Sequence, residues 1–277
     1  MIETAGKILI REIRQAVEQL YASVVPIYDV NEKEQPALLG SSVLLRIETD
    51  VFLSTAKHVI DANEHSSLYV SGPAKLEPLE GDFFAAPETD VAVMKLSTLQ
   101  RDLLAKYKVL EEPQIADTTF VGQCTHASCV GFPGSKNKKI FSKRVLRRKI
   151  YCFTGAHVAS DAKYIVVPFR RRKNLDAITG AVVMAPDPHG MSGGAMFGVR
   201  LDDDVILGRP GPRFVGTLIE WDSLKNRLFA THSSIVLAII RDAFKVELPR
   251  RLAVPWIKTH PAVYVAPKSP SESLRKC

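Results

Sequence analysis

The sequence predicts an all-β protein, and three features of its 277 residues indicate this class. Short runs rich in Val, Ile, Leu and Phe recur along the chain, turn-prone segments separate them, and helical spacing is found mainly near the two ends. Runs of this length and composition are typical of β-strands. Many short strands with few helices favour barrels or sandwiches.

The first element, residues 1–21, is predicted to be an amphipathic helix. Ile8, Ile13, Val17 and Leu20 lie near helical spacing with charged residues between them. Strands are then predicted at residues 22–28, 37–47, 51–54, 67–71, 91–94, 118–121, 128–132, 150–153, 164–169 and 215–221. The segment 99–113 lacks strand patterning and is predicted to be a partly helical connection.

The C-terminal part is predicted to hold a second helix and a tail. Ile235, Ala238, Ile239 and Phe244 follow helical spacing within residues 234–245. Residues 249–277 contain several prolines and a terminal Ser-Pro-Ser-Glu-Ser segment, so we expect the end of this tail to be poorly ordered.

Composition favours a globular protein, and no cofactor is expected. Hydrophobic residues make up 46% and charged residues 24% of the chain, and no apolar run of about 18 residues could span a membrane. Glu3 and Lys7 interrupt the N-terminal segment where a secretory signal needs apolar residues. The four cysteines lack zinc-ligand spacing, which favours reduced thiols. We therefore expect a cytoplasmic protein that binds no metal.

Charge is distributed unevenly along the chain. Residues 1–100 carry a net charge of −7 and the remainder +14. Basic clusters at 136–149 and 170–173 could bind nucleic acid or an acidic protein, but aromatic residues are sparse among them, so solvated hairpins are the favoured interpretation. The acidic run Asp202 to Asp204 is predicted to be a hairpin tip rather than a calcium site.

The segment 187–198, Asp-Pro-His-Gly-Met-Ser-Gly-Gly-Ala-Met-Phe-Gly, places Ser192 among glycines on a tight turn. There the backbone N–H groups of Gly190 and Ser192 could converge on a substrate oxygen, as an oxyanion hole requires. The alternative interpretation is a glycine-rich hairpin turn with no chemical role.

Two further segments supply the groups that would activate Ser192. Residues 52–60 end a strand and present His58 after small residues, and Asp90 opens an apolar strand. Each is common as a structural residue. A serine hydroxyl is a poor nucleophile near neutral pH and needs a base such as histidine, so the order His, Asp, Ser is informative as a set.

These segments resemble the chymotrypsin/trypsin-like serine protease family. The match rests on Thr-Ala-Lys-His at 55–58, Asp-Val-Ala at 90–92 and Gly-Met-Ser-Gly-Gly at 190–194, and Gly-Phe-Pro-Gly at 131–134 is similar to the bacterial, intracellular HtrA-like branch. The resemblance implies two antiparallel six-stranded β-barrels, residues 22–115 and 116–232, with the site between them. A C-terminal helix (233–248) and the tail (249–277) would follow, without a PDZ domain.

The resemblance also implies residue roles. Ser192 would attack an acyl carbon, His58 would transfer the proton, and Asp90 would orient the imidazole. The predicted substrate-binding residues are Pro186, His189, Ile219, Glu220 and Trp221. Because Pro186 stands where trypsin has its pocket aspartate, we expect small or apolar substrate side chains.

Two departures from the family pattern affect the expected mechanism. Met191 replaces the aspartate that pairs with a freed N-terminus in activated zymogens, so no such activation is implied. Lys57 precedes His58 where a small residue is usual, and a nearby ammonium would disfavour the imidazolium.

The sequence thus predicts a trypsin-like serine endopeptidase that acts on protein or peptide substrates and is recruited or controlled by a partner protein. The alternative is an inert or conditionally active protease-like scaffold that binds nucleic acid or an acidic protein through its basic second half. Contact with a membrane is not expected.

Overall fold

A computed structural model describes residues 5–30, 36–62, 68–71, 76–86, 88–137, 139–140, 145–146, 149–156, 158–175, 181–200 and 211–265. The predicted acidic hairpin tip, much of the basic cluster 136–149 and the end of the tail lie outside these residues.

The described residues form five α-helices: α1 (Ala5–Glu18), α2 (Lys57–Asp61), α3 (Thr98–Leu103), α4 (Thr118–Gly122) and α5 (Ser233–Phe244). Strands in the N-terminal half are β1 (Val24–Val30), β2 (Pro36–Ile47), β3 (Asp50–Ala56), β4 (Tyr69–Ser71), β5 (Leu76–Pro78), β6 (Asp82–Ala86) and β7 (Val91–Lys95). Those that follow are β8 (His126–Gly131), β9 (Lys139–Ile140), β10 (Val145–Leu146), β11 (Tyr151–Ala156), β12 (Ala159–Ser160), β13 (Tyr164–Pro168), β14 (Asn174–Leu175), β15 (Val182–Val183), β16 (Ala195–Val199), β17 (Arg213–Asp222), β18 (Arg227–His232) and β19 (Ala262–Val265).

Two curled antiparallel sheets form the body, which is a double β-barrel of the chymotrypsin type. The first sheet has the order β19-β6-β7-β3-β2-β1-β4-β5, and the second has the order β11-β8-β16-β17-β18-β13-β12. Each exceeds the six strands expected because short strands are added at the edges. The predicted all-β class with a helix near each end is confirmed.

The buried residues form three hydrophobic clusters, and successive side chains along a strand contribute to different clusters. In β2, Val43 and Leu45 belong to a cluster shared by both barrels, whereas Leu44 lies in the interior of the first barrel. In β16, Phe197 joins the shared cluster and Met196 the interior of the second barrel. Because side chains alternate between faces, these strands are apolar on both sides.

Helix α5 completes the shared cluster. Its residues from Ser233 to Ile240 are all buried, and Ile13, Val17 and Leu20 from the N-terminal segment join the same cluster. A helix that is apolar around its circumference needs partners on every side. The shared cluster therefore ties both barrels to the two helices.

The elements differ from the sequence prediction in several places, and strands such as β6, β16 and β18 were not predicted. Residues 118–121 were predicted as a strand but belong to α4, because the Asp117 side chain accepts a hydrogen bond from Phe120 N (2.7 Å) and caps a helical turn. Within the tail, β19 pairs with β6 at the edge of the first sheet. None of the described helices combines the length and apolarity needed to cross a membrane.

Candidate active site

A cleft of about 340 Å³ brings His58, Asp90 and Ser192 together. Four of the predicted substrate-binding residues also line it: His189, Ile219, Glu220 and Trp221. Further lining residues are Pro188, Met191, Leu218 and Leu228. The cleft therefore combines an acid, an imidazole and a hydroxyl with a largely apolar wall.

The Asp90 carboxylate is hydrogen-bonded to both the backbone N–H and the imidazole of His58. His58 Nδ1 lies 2.7 Å from Asp90 Oδ2, and the His58 backbone N–H donates to Asp90 Oδ1 (2.9 Å). The Lys57 N–H donates to the Asp90 carbonyl (3.0 Å). Asp90 adopts a left-handed backbone conformation (φ 49°), which aspartate tolerates better than most residues. The imidazole therefore has a fixed orientation with Nε2 left for a second partner.

The electrostatic surroundings raise the pKa of His58 above its ordinary value. The hydrogen bond that the imidazole donates to Asp90 is the largest cause, burial opposes it, and the charges of Asp90, Asp61 and Glu220 add to the increase. A carboxylate beside an imidazole stabilises the protonated form. This favours the imidazolium that a serine hydrolase forms when histidine accepts the hydroxyl proton.

The ammonium of Lys57 contacts Asp61 and Tyr264, and Lys57 is not among the groups that shift the pKa of His58. Its Nζ lies 2.5 Å from Asp61 Oδ2 and 4.6 Å from the centre of the Tyr264 ring. The hydrogen bond to Asp61 raises the pKa of Lys57. Lys57 therefore pairs with Asp61 and Tyr264, and the concern that it would disfavour the imidazolium does not apply to this geometry.

Glycines shape the loop that carries Ser192. Gly190 and Gly193 have φ values of 89° and 85°, in the left-handed region where side chains are disfavoured. A Cβ at Gly193 would lie 1.9 Å from the Ser41 carbonyl oxygen. The Gly193 N–H donates to the Leu218 carbonyl (2.6 Å), and the Leu218 N–H donates to the Gly194 carbonyl (2.8 Å). The loop thus lies tightly against β2 and β17.

The Ser192 hydroxyl donates to the Ile219 carbonyl at 3.4 Å. Ile219 lies at an irregularity in the pairing of β17 with β18, where Leu218 pairs with Ala230 and Glu220 with Phe229. Such bulges redirect backbone groups near functional sites. Within the described residues, His58 and Ser192 share no hydrogen bond, so Ser192 must rotate before His58 can accept its proton.

Ser41 of the first barrel clamps the Ser192 loop of the second. Its N–H donates to the Ser192 carbonyl (2.7 Å), its hydroxyl donates to the Gly190 carbonyl (2.9 Å), and the Phe132 N–H donates to that hydroxyl (3.0 Å). The side chain is fully buried. Ser41 therefore holds the peptide unit that precedes Met191 and the one that follows Ser192.

The backbone N–H groups of Gly190 and Ser192 remain available for an oxyanion. Among the described residues, neither donates to a backbone carbonyl, whereas the intervening Met191 N–H donates to the Pro188 carbonyl (2.8 Å). Their assignment as an oxyanion hole stays a prediction. It is compatible with this pattern of used and unused donors.

The predicted pocket residues are not all brought to the cleft. Pro186 is buried and lines a separate groove, while Pro188 lines the cleft in its place. The reason is local, because Asp187 turns the chain by accepting from the His189 N–H (3.1 Å) and from Arg171 Nη1 (3.3 Å). Contrary to the sequence prediction, Pro186 therefore does not line the cleft.

His189 lies at the rim of the cleft, close to Asp187 and Trp221. Its Nδ1 is hydrogen-bonded to Asp187, and its ring centre lies 6.2 Å from that of Trp221. Burial opposes ionisation of Asp187, but the bonds from His189 and the charge of Arg171 outweigh it and lower the pKa of the carboxyl. This pair leaves the exposed His189 ring to face the cleft.

Two contributors to the site were absent from the sequence prediction, namely the side chain of Ser41 and the carbonyl of Ile219. Ser41 stands 149 positions from Gly190, and a backbone carbonyl carries no sequence signal. Residues 37–47 were predicted only as a strand, so the clamping contacts of Ser41 were not predicted.

No protein-family model and no curated protein sequence matches this chain. Among solved structures, it is similar to an HtrA-type protease, AlgW, with a tripeptide, at 14% identity and a TM-score of 0.51, over 84% of this chain and 64% of that one. The chain therefore spans less than two thirds of the length of this neighbour.

Two further solved structures align along most of their length. One concerns the coupled folding and binding of the intrinsically disordered Sesbania mosaic virus VPg protein (13% identity, TM-score 0.48, 82% of this chain and 91% of that one). The other is the Rv3671c protease from M. tuberculosis in its active form (14% identity, TM-score 0.45, 86% of each chain). At these identities the likeness to AlgW shows the fold alone.

Proposed function

We propose that this chain is a serine endopeptidase that cleaves peptide bonds through an acyl-enzyme. The observation that carries the proposal is the convergence of the hydrogen-bonded pair His58–Asp90 with Ser192 in one cleft of a chymotrypsin-type fold. The same three side chains in the same fold perform acyl transfer in serine proteases. No metal or organic cofactor enters this mechanism.

The proposed reaction begins when Ser192 rotates from the Ile219 carbonyl towards His58. His58 removes the hydroxyl proton as Ser192 Oγ bonds to the substrate carbonyl carbon, and Asp90 stabilises the imidazolium. The N–H groups of Gly190 and Ser192 stabilise the oxyanion. His58 then donates the proton to the leaving amine, and water hydrolyses the ester by the same route.

The apolar wall of the cleft supports a preference for apolar substrate side chains. Met191, Leu218 and Leu228 are buried and line the cleft beside Ser192. An apolar pocket favours small or medium aliphatic side chains and discriminates weakly among them. The pairing of β17 with β16 ends at Thr217, so the β17 backbone at Ile219 and Glu220 would pair with the extended substrate.

A conditionally active scaffold is the second candidate, and one contact favours it. The Ser192 hydroxyl is bonded to Ile219 rather than to His58, so the resting arrangement lacks the bond that activates the nucleophile. If the scaffold is conditionally active, a recruiting partner reorients the Ser192 hydroxyl towards His58. Free thiols at Cys124, Cys129 and Cys152 support a cytoplasmic setting for either version.

The test compares the unmodified chain with Ser192→Ala in cleavage of a diverse peptide library and in labelling by a fluorophosphonate probe. We expect cleavage after small or apolar residues and covalent labelling, both lost in the variant. Ser234→Ala is a matched control, because this buried hydroxyl interacts with His232. Equal cleavage by Ser192→Ala would refute the enzyme proposal, and labelling only when a cell extract is supplied would support conditional activity.

A further inference from the structure

We propose that a second groove, distinct from the catalytic cleft, binds an extended peptide in which acidic and apolar residues alternate. This seam groove lies between α1, β11 and residues 183–186, and has a volume of about 740 Å³. It exceeds the cleft in size and shares no lining residue with it. The proposal does not depend on the proposed function.

The floor of the seam groove is the edge strand β11. This strand ends the order of the second sheet and, within the described residues, pairs only with β8. Alternate N–H and C=O groups of an edge strand point away from its neighbour and can pair with an added strand. Strand addition is a recurrent mode of peptide recognition.

In the second barrel, β11 approaches β13 closely at the Gly155 end of β11 and leaves a gap at the other end. A Cβ at Gly155 would lie 2.3 Å from Val167 Cγ1 and 3.2 Å from the Pro168 carbonyl oxygen, so β11 and β13 nearly touch there. No ladder joins the two strands among the described residues, and Pro168 has no N–H to donate. The open end, at residues 151–153, lines the seam groove.

The walls of the seam groove offer apolar contacts. Val183 and Met184 line it with exposures of 39% and 67%, and the partly buried Ile150 lines it as well. Side chains on one face of an added strand would contact these residues at every second position. The groove thus has a place for alternating Val, Ile or Leu.

The positive charge of the seam groove favours acidic side chains at the remaining positions of the peptide. Arg14, Lys149 and Arg170 line the seam groove, and no Asp or Glu does so among the described residues. Arg14 is partly neutralised by Glu18 (3.2 Å). Lys149 and Arg170 remain as exposed cations facing the groove, which favours an acidic partner.

A peptide fits these surfaces better than single-stranded nucleic acid. Binding of bases relies on free aromatic faces. Here the ammonium of Lys149 lies 5.3 Å from the centre of the Tyr151 ring, and the exposed wall is aliphatic. The seam groove therefore offers strand pairing and aliphatic contacts rather than a stacking platform.

The test measures binding by fluorescence anisotropy on the Ser192→Ala chain, so that no bound peptide is cleaved. The probes are labelled nonapeptides in which Asp or Glu alternates with Val, Ile or Leu, and a matched set with Lys in place of the acids. We expect the acidic set to bind more tightly. Arg170→Glu and Met184→Glu should each weaken that binding at least about tenfold, whereas Lys258→Glu, at a distant exposed cation, should not.

Hydrogen exchange locates the bound peptide. We expect slower exchange at residues 151–153, and slower exchange only at residues 217–220 would place the peptide in the catalytic cleft and overturn the proposal. Equal binding of the two peptide sets would also overturn it. Tighter binding of a nine-nucleotide single-stranded DNA that is lost in Arg170→Glu would assign the groove to nucleic acid instead.

Discussion

At the scale of single residues, the charges around His58 determine the pH range in which it could act as the proposed base. Asp90 provides the largest increase in its pKa, and Glu220 contributes from the rim of the cleft. Below that pKa the imidazole is protonated and cannot accept the Ser192 proton. Activity should therefore fall as the pH decreases through a value above that of an isolated histidine.

Glu220→Gln tests this electrostatic account. Loss of the carboxylate lowers the pKa of His58, so the acid limb of kcat/KM should move to lower pH, by less than about one unit. The profile is measured with one peptide substrate between about pH 5 and pH 8. Glu247→Gln, at an exposed acid that does not contribute to the pKa of His58, should leave the limb in place. An upward movement in Glu220→Gln would contradict the prediction.

Ser41 and Ser42 form a matched pair for testing the clamp on the Ser192 loop. Both are fully buried, but Ser42 donates to the Val25 carbonyl within the first barrel (3.1 Å), whereas Ser41 donates to Gly190. Ser41→Ala should destabilise the fold by about 1–3 kcal/mol, because it leaves the buried Phe132 N–H and the partly buried Gly190 carbonyl unpaired, and should also lower kcat.

Ser42→Ala should produce a loss of stability without the loss in kcat. Urea unfolding and steady-state kinetics on both variants separate the two effects. Retention of kcat in Ser41→Ala would show that the loop keeps its shape without the clamp.

The residues that the sequence could identify are those with local signatures. Ser192 stands out among its glycines, and His58 and Asp90 are recognisable from the short segments around them. Pro186 was misplaced because a count of positions before the serine ignores the turn that Asp187 imposes. Ser41 and the backbone carbonyl of Ile219 act through contacts between distant strands, which single-chain patterns do not encode.

At the scale of elements, helix α5 depends on a buried neutral histidine at its start. His232 is 5% exposed, and its Nδ1 accepts hydrogen bonds from the Ser234 N–H (3.0 Å) and interacts with the Ser234 hydroxyl (2.7 Å). Burial lowers the pKa of His232 to about 4, while Asp161 acts in the opposite direction. The cap therefore requires the unprotonated ring.

This histidine should make stability pH-dependent. Between its ordinary pKa and about 4 the unfolded chain binds a proton that the folded chain excludes, so the free energy of unfolding should decrease as the pH falls. The full effect is on the order of 3 kcal/mol. In His232→Asn, which retains a capping acceptor, urea titrations at about pH 7 and pH 4.5 should differ less. His260→Asn, at an exposed histidine, should behave as the unmodified chain does.

Predicting elements from sequence succeeded where apolar alternation was strong and failed where a short polar signal decided the conformation. The β-branched run at 118–121 was assigned to a strand, yet Asp117 caps it as a helix. Strand β19 was hidden in a proline-containing tail because its stability comes from pairing with β6, almost 180 positions earlier in the chain. Tertiary pairing of this kind overrides local composition.

At the scale of the whole molecule, the shared hydrophobic cluster should make the two barrels unfold together. Ile239 of α5 is fully buried in that cluster. Ile239→Ala should lower the free energy of unfolding by about 2–5 kcal/mol. Tryptophan fluorescence and far-ultraviolet circular dichroism should still report one coincident transition.

Leu224→Ala provides the control for this prediction, since Leu224 is 93% exposed and should leave stability within about 0.5 kcal/mol. Two separated transitions in the unmodified chain would show that the barrels are independent. Such a result would contradict the role given to α5.

The clamp formed by Ser41 also makes the fold suitable for a split reporter. The proposed base and its acid belong to the first barrel, the proposed nucleophile belongs to the second, and the loop around the nucleophile takes its shape from hydrogen bonds donated by Ser41 across the boundary. A chain divided within the connection at residues 96–117 would place the base and the nucleophile on separate fragments. Turnover would then appear only after the fragments reassemble, so enzymatic output would measure their complementation.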